Sequence, residues 1–410
     1  GGFVGGNLQL AGSGFAEGAM SVLLGAQRVD DDSRNYGLDV FSQSTGLNIT
    51  VPSGAPTGPI RVTTVGGTSA AFGIGFTGLV GTASSGTPGS GAQASAIPGQ
   101  TVTLQGSGLD TGTDVVFRII DAAGTMDDVI VRPTAVNAAG TEAQVRVPVN
   151  AVTGTVRVAG AAASFALQVL PVITDVQVES VDADGATAQL LIAGSGFIEG
   201  ANSVYRFGSR TVLDAGTTTG PDVFGRSDAV LGFVANGYVR VTVPLSNGVF
   251  GPISIKTTGG ASAAYSVALN SITAVALSGT PAIAGQASAN AGQAITLNGS
   301  GLSTSTDVLL RYVDISGTLQ MVRLSPTTAA ADGTSASLLV PDYANGAFAL
   351  QVFGSAAQPL LQIVPTVQSV DIQDRTVLLG SGFVESASTY TFAGATLSDT
   401  VPGAPADIDV

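Results

Sequence analysis

The chain has 410 residues, of which 44% are hydrophobic and only 11% charged, and its formal net charge is −14. Charge this sparse and acidic, with Lys256 as the one lysine beside fourteen arginines, excludes a nucleic-acid partner, because phosphate recognition needs clustered cations. His, Cys and Trp are absent, which removes Ser-His and Cys-His nucleophiles, imidazole and thiolate metal sites, and disulfides.

Along the chain one phrase recurs five times, an apolar run, then Gly-Ser-Gly, then Phe or Leu. Its first glycines are Gly12, Gly106, Gly194, Gly299 and Gly380. A spacing near 90 residues marks whole domains in tandem rather than a solenoid. A second phrase, Val-Pro followed by a Gly-bearing turn and an alternating strand, opens at Val51, Val147, Val243 and Val340. The units are of two kinds. In A units the glycines lead into FAEGAMSVLLG (15–25), FIEGANSVYRFG (197–208) and FVESASTYTFAG (383–394). In B units they lead into LDTGTDVVFRIID (109–121) and LSTSTDVLLRYVD (302–314), and both B units share a lead-in that begins SGTP, at 85–88 and 278–281. The order is A-B-A-B-A, with expected units at 1–77, 78–172, 173–270, 271–365 and a partial unit at 366–410.

Between these landmarks the apolar period is two. TVTLQ, DVVFRII, AQVRVPV, GTVRVAG and SFALQVLPV alternate large apolar with polar or small residues, and turn residues separate them every 8–12 positions. No window sustains a capped helical pattern, and none has the roughly 18 apolar residues of a membrane-spanning helix. The pattern predicts an all-β chain of tandem immunoglobulin-like β-sandwich domains. The Gly-Ser-Gly phrase reads as a tight bend, where glycine permits positive φ or close backbone approach and the next Phe or Leu returns to the core. A phosphate-binding loop is the rival reading, but it needs a following helix N-terminus and usually a lysine, and neither is present.

Taken together, GQTVTLQGSGL (99–109), DVVFRI (114–119), VRVPV (145–149) and TGTVRV (153–158) resemble, in order, the immunoglobulin-like family shared by plexins and transcription factors, IPT/TIG. The B units fit along their length, the A units with a looser start, and the fifth unit only in its first half. The resemblance implies an immunoglobulin-like fold without a fixed activity, and in bacteria such arrays resemble the stalks of giant surface or secreted proteins.

Carboxylates are the only candidate chemistry. Glu17, Glu199 and Glu385 stand two residues past the A-unit phenylalanine, and Asp31/Asp39, Asp214/Asp222 and Asp399/Asp407 recur in pairs. Oxygen-rich loops can hold Ca²⁺, which takes six to eight oxygens. The other reading is that these aspartates cap turns, and the absence of a D-x-D-x-D-G loop favours it. In B units Asp114 with Arg118, and Asp307 with Arg311, fall on one strand face, taken as the solvent face, as a surface pair or an inter-unit contact. No catalytic, cofactor or metal residue is assigned.

The expected function is therefore a non-catalytic structural array, extracellular or at a bacterial cell surface, forming a fibre, filament or sheath by self-association of neighbouring copies or modules. A carbohydrate- or cell-surface-binding adhesin is the alternative. Sparse charge on the outer sheet faces favours packing between copies. One lysine among five units precludes an isopeptide staple in each. The fifth unit stops at Val410, before any Val-Pro phrase completed by a Gly-bearing turn and an alternating strand, so the expectation is a window of a longer A-B array, with strand donation by a second chain as the other account.

Overall fold

The structure, a computed structural model, describes all residues except 1–5, 32–37, 53–57, 122–123, 201–202, 215, 217–219, 247, 373–375 and 401–410. Among the described residues every regular element is a β-strand. Period two is the cause. Along Thr187–Ser195 buried and half-buried positions alternate without a break, with Ala188, Leu190 and Ile192 inward and Thr187, Gln189, Ala193 and Ser195 outward. The outward face carries Thr, Gln, Ala and Ser and one large apolar residue, Leu191.

The first A, first B and second A units are each two sheets around their own core, and in the second B unit a sheet of four faces two sheets of three. In the second A unit, Val172–Val181, Thr187–Ser195, Gly232–Pro244 and Asp222–Asp228 form one sheet; Arg210–Leu213, Val204–Phe207, Ile253–Thr257 and Gly260–Ala261 form the other. Tyr205, Phe207, Leu190, Ile192, Val241 and Ile253 fill the space between them. The first A unit repeats this with a difference: Asn7–Ala11, Gly46–Thr50 and Leu38–Phe41 make a sheet of three, with no described counterpart of Val172–Val181. B units add one feature. The chain crosses between sheets after its first strand, and Ala94–Ala96 runs parallel to Ser164–Val169, as Ala287–Ala289 does to Leu360–Ile363.

Residues 77, 172 and 270, drawn as the ends of units, fall inside strands Gly75–Val80, Val172–Val181 and Ala268–Thr273. Each of those strands pairs wholly with the unit that follows, so the pairing carries the breaks a few residues toward the N-terminus. No linker separates the units: only Leu170 and Pro171 stand between Ser164–Val169 and Val172–Val181.

Lys256 is exposed on Ile253–Thr257, opposite Val204 and Ala261, with no carboxamide or carboxylate across from it. An intact mass equal to that of the sequence is expected. A deficit of one ammonia or one water would reveal a cross-link at this lysine.

Candidate functional site: loop caps and unit junctions

The two glycines of the repeated phrase divide its work. A Cβ on the first, at Gly106, Gly194, Gly299 or Gly380, would collide with the backbone of the neighbouring strand, at the carbonyl of Gly75, Val172, Ala268 or Thr366. At each of these sites the strand register slips in a β-bulge, which presses the two backbones together. The second glycine takes positive φ, +74° at Gly196 and +69° at Gly301. The apolar residue after it is driven inward, and Phe197 and Leu302 are fully buried. The phrase is shape, not a ligand cradle.

The recurrent A-unit carboxylates cap that bend. Asp31 accepts the Gly18 N–H at 2.7 Å, Asp214 the Gly200 N–H at 2.9 Å, and Asp399 the Ser386 N–H at 3.0 Å, and all three are buried. Glu17 and Glu199 accept the N–H of Val40 and Val223, each at 2.7 Å, and so tie the bend to the opposite strand. Asp39 and Asp222 lie exposed on strands, while Asp407 is outside the described residues. The paired recurrence thus resolves into one buried cap and one surface residue. Among the described residues no three carboxylates converge on a common point as metal ligands would.

Burial raises the pKa of Glu199 above its ordinary value, against the smaller lowering effect of the Val223 N–H. Burial likewise raises Asp307, opposed by the Val178 N–H and Arg323. A raised folded-state pKa means that stability is fully present below the unfolded-state pKa and is lost as pH rises through the folded value. The bend of the second A unit is expected to hold its amides more tightly near pH 4 than at pH 7. Glu199→Gln should flatten that dependence, measured by hydrogen exchange corrected for intrinsic rates.

In the B units the same-strand pairs do not form. Asp114 meets Arg132 at 3.1 Å, and Arg118 shares Asp128 with Arg157 across neighbouring strands. Nor is their face a solvent face. Val116 and Leu309, which share it, are 1% and 0% exposed. At Leu309 the burial comes from the preceding A unit. Leu309, Met321 and Phe353 join the core of the second A unit, with the Phe353 ring packed at a tilt against Phe250, centroids 5.0 Å apart. Polar bonds reinforce the seam: the Val178 N–H donates to Asp307 at 2.5 Å and Arg323 donates to the Val178 carbonyl.

The B-to-A junction is built differently. Thr87–Pro88 of the first B unit adds a final strand to the sheet of the second A unit, with Thr87 opposite Ala261 and Pro88 opposite Gly260. The Gly89 N–H donates to the Gly259 carbonyl at 3.0 Å. Gln168 holds the loop ready by bonding both the N–H and the carbonyl of Ser90, each at 2.7 Å. A small apolar cluster, Ile120, Val152, Ala235 and Ile198, completes the contact. Neither this strand nor the shared core was legible beforehand, although the repeated SGTP was the signal that could have pointed to the first.

Sheet pairs around successive cores, fused end to end, define a tandem array of immunoglobulin-like β-sandwich domains. No family model and no curated protein matches the chain. Among solved structures it is similar to a tetra-tandem repeat in the extending region of a large adhesion protein, 17% identical over 92% of this chain and 95% of that one, with a TM-score of 0.15. It is also similar to SGBP-B from a complex xyloglucan utilization locus in Bacteroides uniformis, 16% identical over 70% of this chain and 99% of that one, with a TM-score of 0.18.

Proposed function

We propose that the chain is a non-catalytic structural array of IPT/TIG-type domains that serves as a stiff spacer on or outside a bacterial cell and self-associates into a fibre, filament or sheath. The observation that supports this best is the shared core at the second A-to-B junction, where Leu309, Met321 and Phe353 of one unit complete the interior of another. A module that borrows its neighbour's side chains cannot swivel freely, and stiffness along the chain is what a spacer needs. The buried carboxylates act as loop caps, which leaves no acid–base pair set for catalysis in this reading. Rotary-shadowed electron micrographs and solution scattering test it: rods of constant contour, polymerising with concentration, are expected. Compact or freely bending particles that stay monomeric would refute it.

One observation favours the adhesin alternative. Tyr312 and Tyr343 pack with ring centroids 4.9 Å apart and planes tilted by 55° on the second B unit, and Tyr343 is 51% exposed, which leaves an aromatic ring open to a sugar. Reproducible glycan binding abolished by Tyr343→Ala would promote that reading.

A further inference from the structure

The hairpin of Asp222–Asp228 and Gly232–Pro244 continues past the sheet of the second A unit as a two-stranded arm. Tyr238 is the last residue of the long strand to pair with Thr187–Ser195, opposite Ala193. Beyond it, among the described residues, the two strands pair only with each other, as far as Asp228 opposite Gly232. The first A unit has no such arm. Its hairpin closes directly after Phe41 and Gly46, the paired counterparts of Phe224 and Tyr238, through a turn of Ser42, Gln43, Ser44 and Thr45. Residues 225–237 stand in place of that polar turn. The second A unit has a B unit on either side, so the arm belongs to that unit's own sequence and not to a missing neighbour.

The root of the arm is fixed. Asn236 is fully buried and donates to the Phe197 carbonyl at 3.1 Å, and Ala235 packs with Ile120 and Val152 of the first B unit. The tip is apolar, with Val230 90%, Leu231 37% and Phe233 52% exposed. The Phe233 ring lies across Gly225, where any side chain would displace it. The polar groups of the tip are satisfied from within. Asp228 accepts the N–H of both Val230 and Leu231, each at 2.9 Å, and Arg226 meets its charge at 3.0 Å, with both side chains largely shielded. Water would satisfy those amides unaided, and a solvated turn gains nothing by exposing Val and Leu. A tip that enters a medium without hydrogen-bonding partners needs its amides satisfied and its outer side chains apolar. The second B unit supplies the contrast: Asp314 caps its hairpin turn through the N–H of Ser316 and Thr318 in the same manner, but there Ile315 stands alone among polar residues.

We propose that this arm is a lipid-attachment point, with Val230 and Leu231 entering the boundary between headgroups and acyl chains of a bilayer, Phe233 resting at the headgroup level, and the Arg226–Asp228 pair staying in the polar layer. An interfacial aromatic behind an apolar tip is the arrangement such a boundary favours. A protein groove is the other medium without water, but a protein interface is read through polar groups at its rim, and residues 229–235 carry neither a charge nor a polar side chain. A lipid surface asks only for apolar area. The net charge of −14 sets the kind of lipid: anionic headgroups repel the chain, so the surface that fits is zwitterionic.

The chain has no tryptophan, so a single introduced tryptophan reports one site. Val230→Trp in the full chain, titrated with phosphatidylcholine vesicles, is expected to shift its emission to the blue and to be quenched by brominated lipid. Ile315→Trp, at a position 56% exposed on the polar hairpin of the second B unit, is expected to do neither. Adding Leu231→Asp to Val230→Trp should weaken vesicle binding about tenfold or more, the loss of one apolar side chain from the contact. These changes fall on exposed turns and leave the cores untouched. An unshifted Val230→Trp spectrum overturns the proposal. So does an equal shift at both positions, which marks unspecific adsorption, and so does binding that requires phosphatidylserine in the vesicles. A blue shift that grows with protein concentration before lipid is added gives the tip to a second copy of the chain, and overturns lipid attachment as well.

Discussion

Gly194→Ala is expected to open the second A unit locally, at a cost of about 3 kcal/mol or more, among the larger values single substitutions reach. The new methyl would meet the Val172 carbonyl oxygen far inside van der Waals distance and the Phe197 ring at 2.5 Å. Neither neighbour can retreat cheaply. The carbonyl belongs to a paired strand, and the ring is fully buried in the core. A five-unit chain does not unfold in two states, so the readout is local: hydrogen exchange of amides in Thr187–Ser195 should speed up by about two orders of magnitude. Gly12→Ala is the internal comparison. Among the described residues the three atoms nearest its methyl all belong to the Phe15 ring, the closest at 2.8 Å. A substitution that acts alike at both sites would show that the bulge is not what excludes a side chain.

Phe353→Ala should cost about 3–5 kcal/mol, as truncation of a buried phenylalanine usually does, but the loss should appear in two units. The ring lies in the core cluster of the second A unit and against Phe250, although the strand just before it, Gln351–Val352, belongs to the following B unit. Exchange is expected to rise in Ile253–Thr257 together with Val308–Val313. Confinement of the effect to the B unit would mean that the junction is a contact and not a shared core. The first B unit supplies the natural contrast. Val158 and Val352 hold the same place opposite Val115 and Val308, and the residue that follows is Ala159 in one and Phe353 in the other. Where Ala159 stands, a groove remains between the first A and B units, lined by Leu10, Phe15, Thr68 and Asp114.

The alternation of units, their strands and the bends at Gly194 and its counterparts were legible in the sequence because each is written locally. A period of two needs only neighbouring residues, and a glycine pair bracketing Ser195 announces a turn wherever it folds. The capping role of Asp214 was half legible. Recurrence singled it out, but a carboxylate that binds Ca²⁺ and one that accepts a backbone N–H look the same in a string. The burial of Asp214 and the 2.9 Å bond from Gly200 separate them. The same-strand pairing of Asp114 with Arg118 and of Asp307 with Arg311 failed for a related reason, although the inter-unit contact that was the other reading is found at Asp307. Same-face spacing brings residues to one side of a strand, yet strands beside it and the unit before it compete for each charge, and Arg132 and the Val178 N–H won.

What the sequence alone determined is the repeating unit: an all-β sandwich whose inward residues alternate with small polar ones, closed at each bend by glycines that tolerate positive φ and backbone contact. What only the tertiary structure decided is how units are joined. Leu309 and Phe353 read as ordinary apolar residues of their own strands, and nothing in a period of two says which of two cores an outward-facing one will enter. Thr87–Pro88 is too short to read as a strand, since two residues gain pairing only when an open edge such as Gly260–Ala261 is brought beside them. Junctions are set by contacts between residues far apart along the chain, and their free energy exists only once both surfaces have already folded.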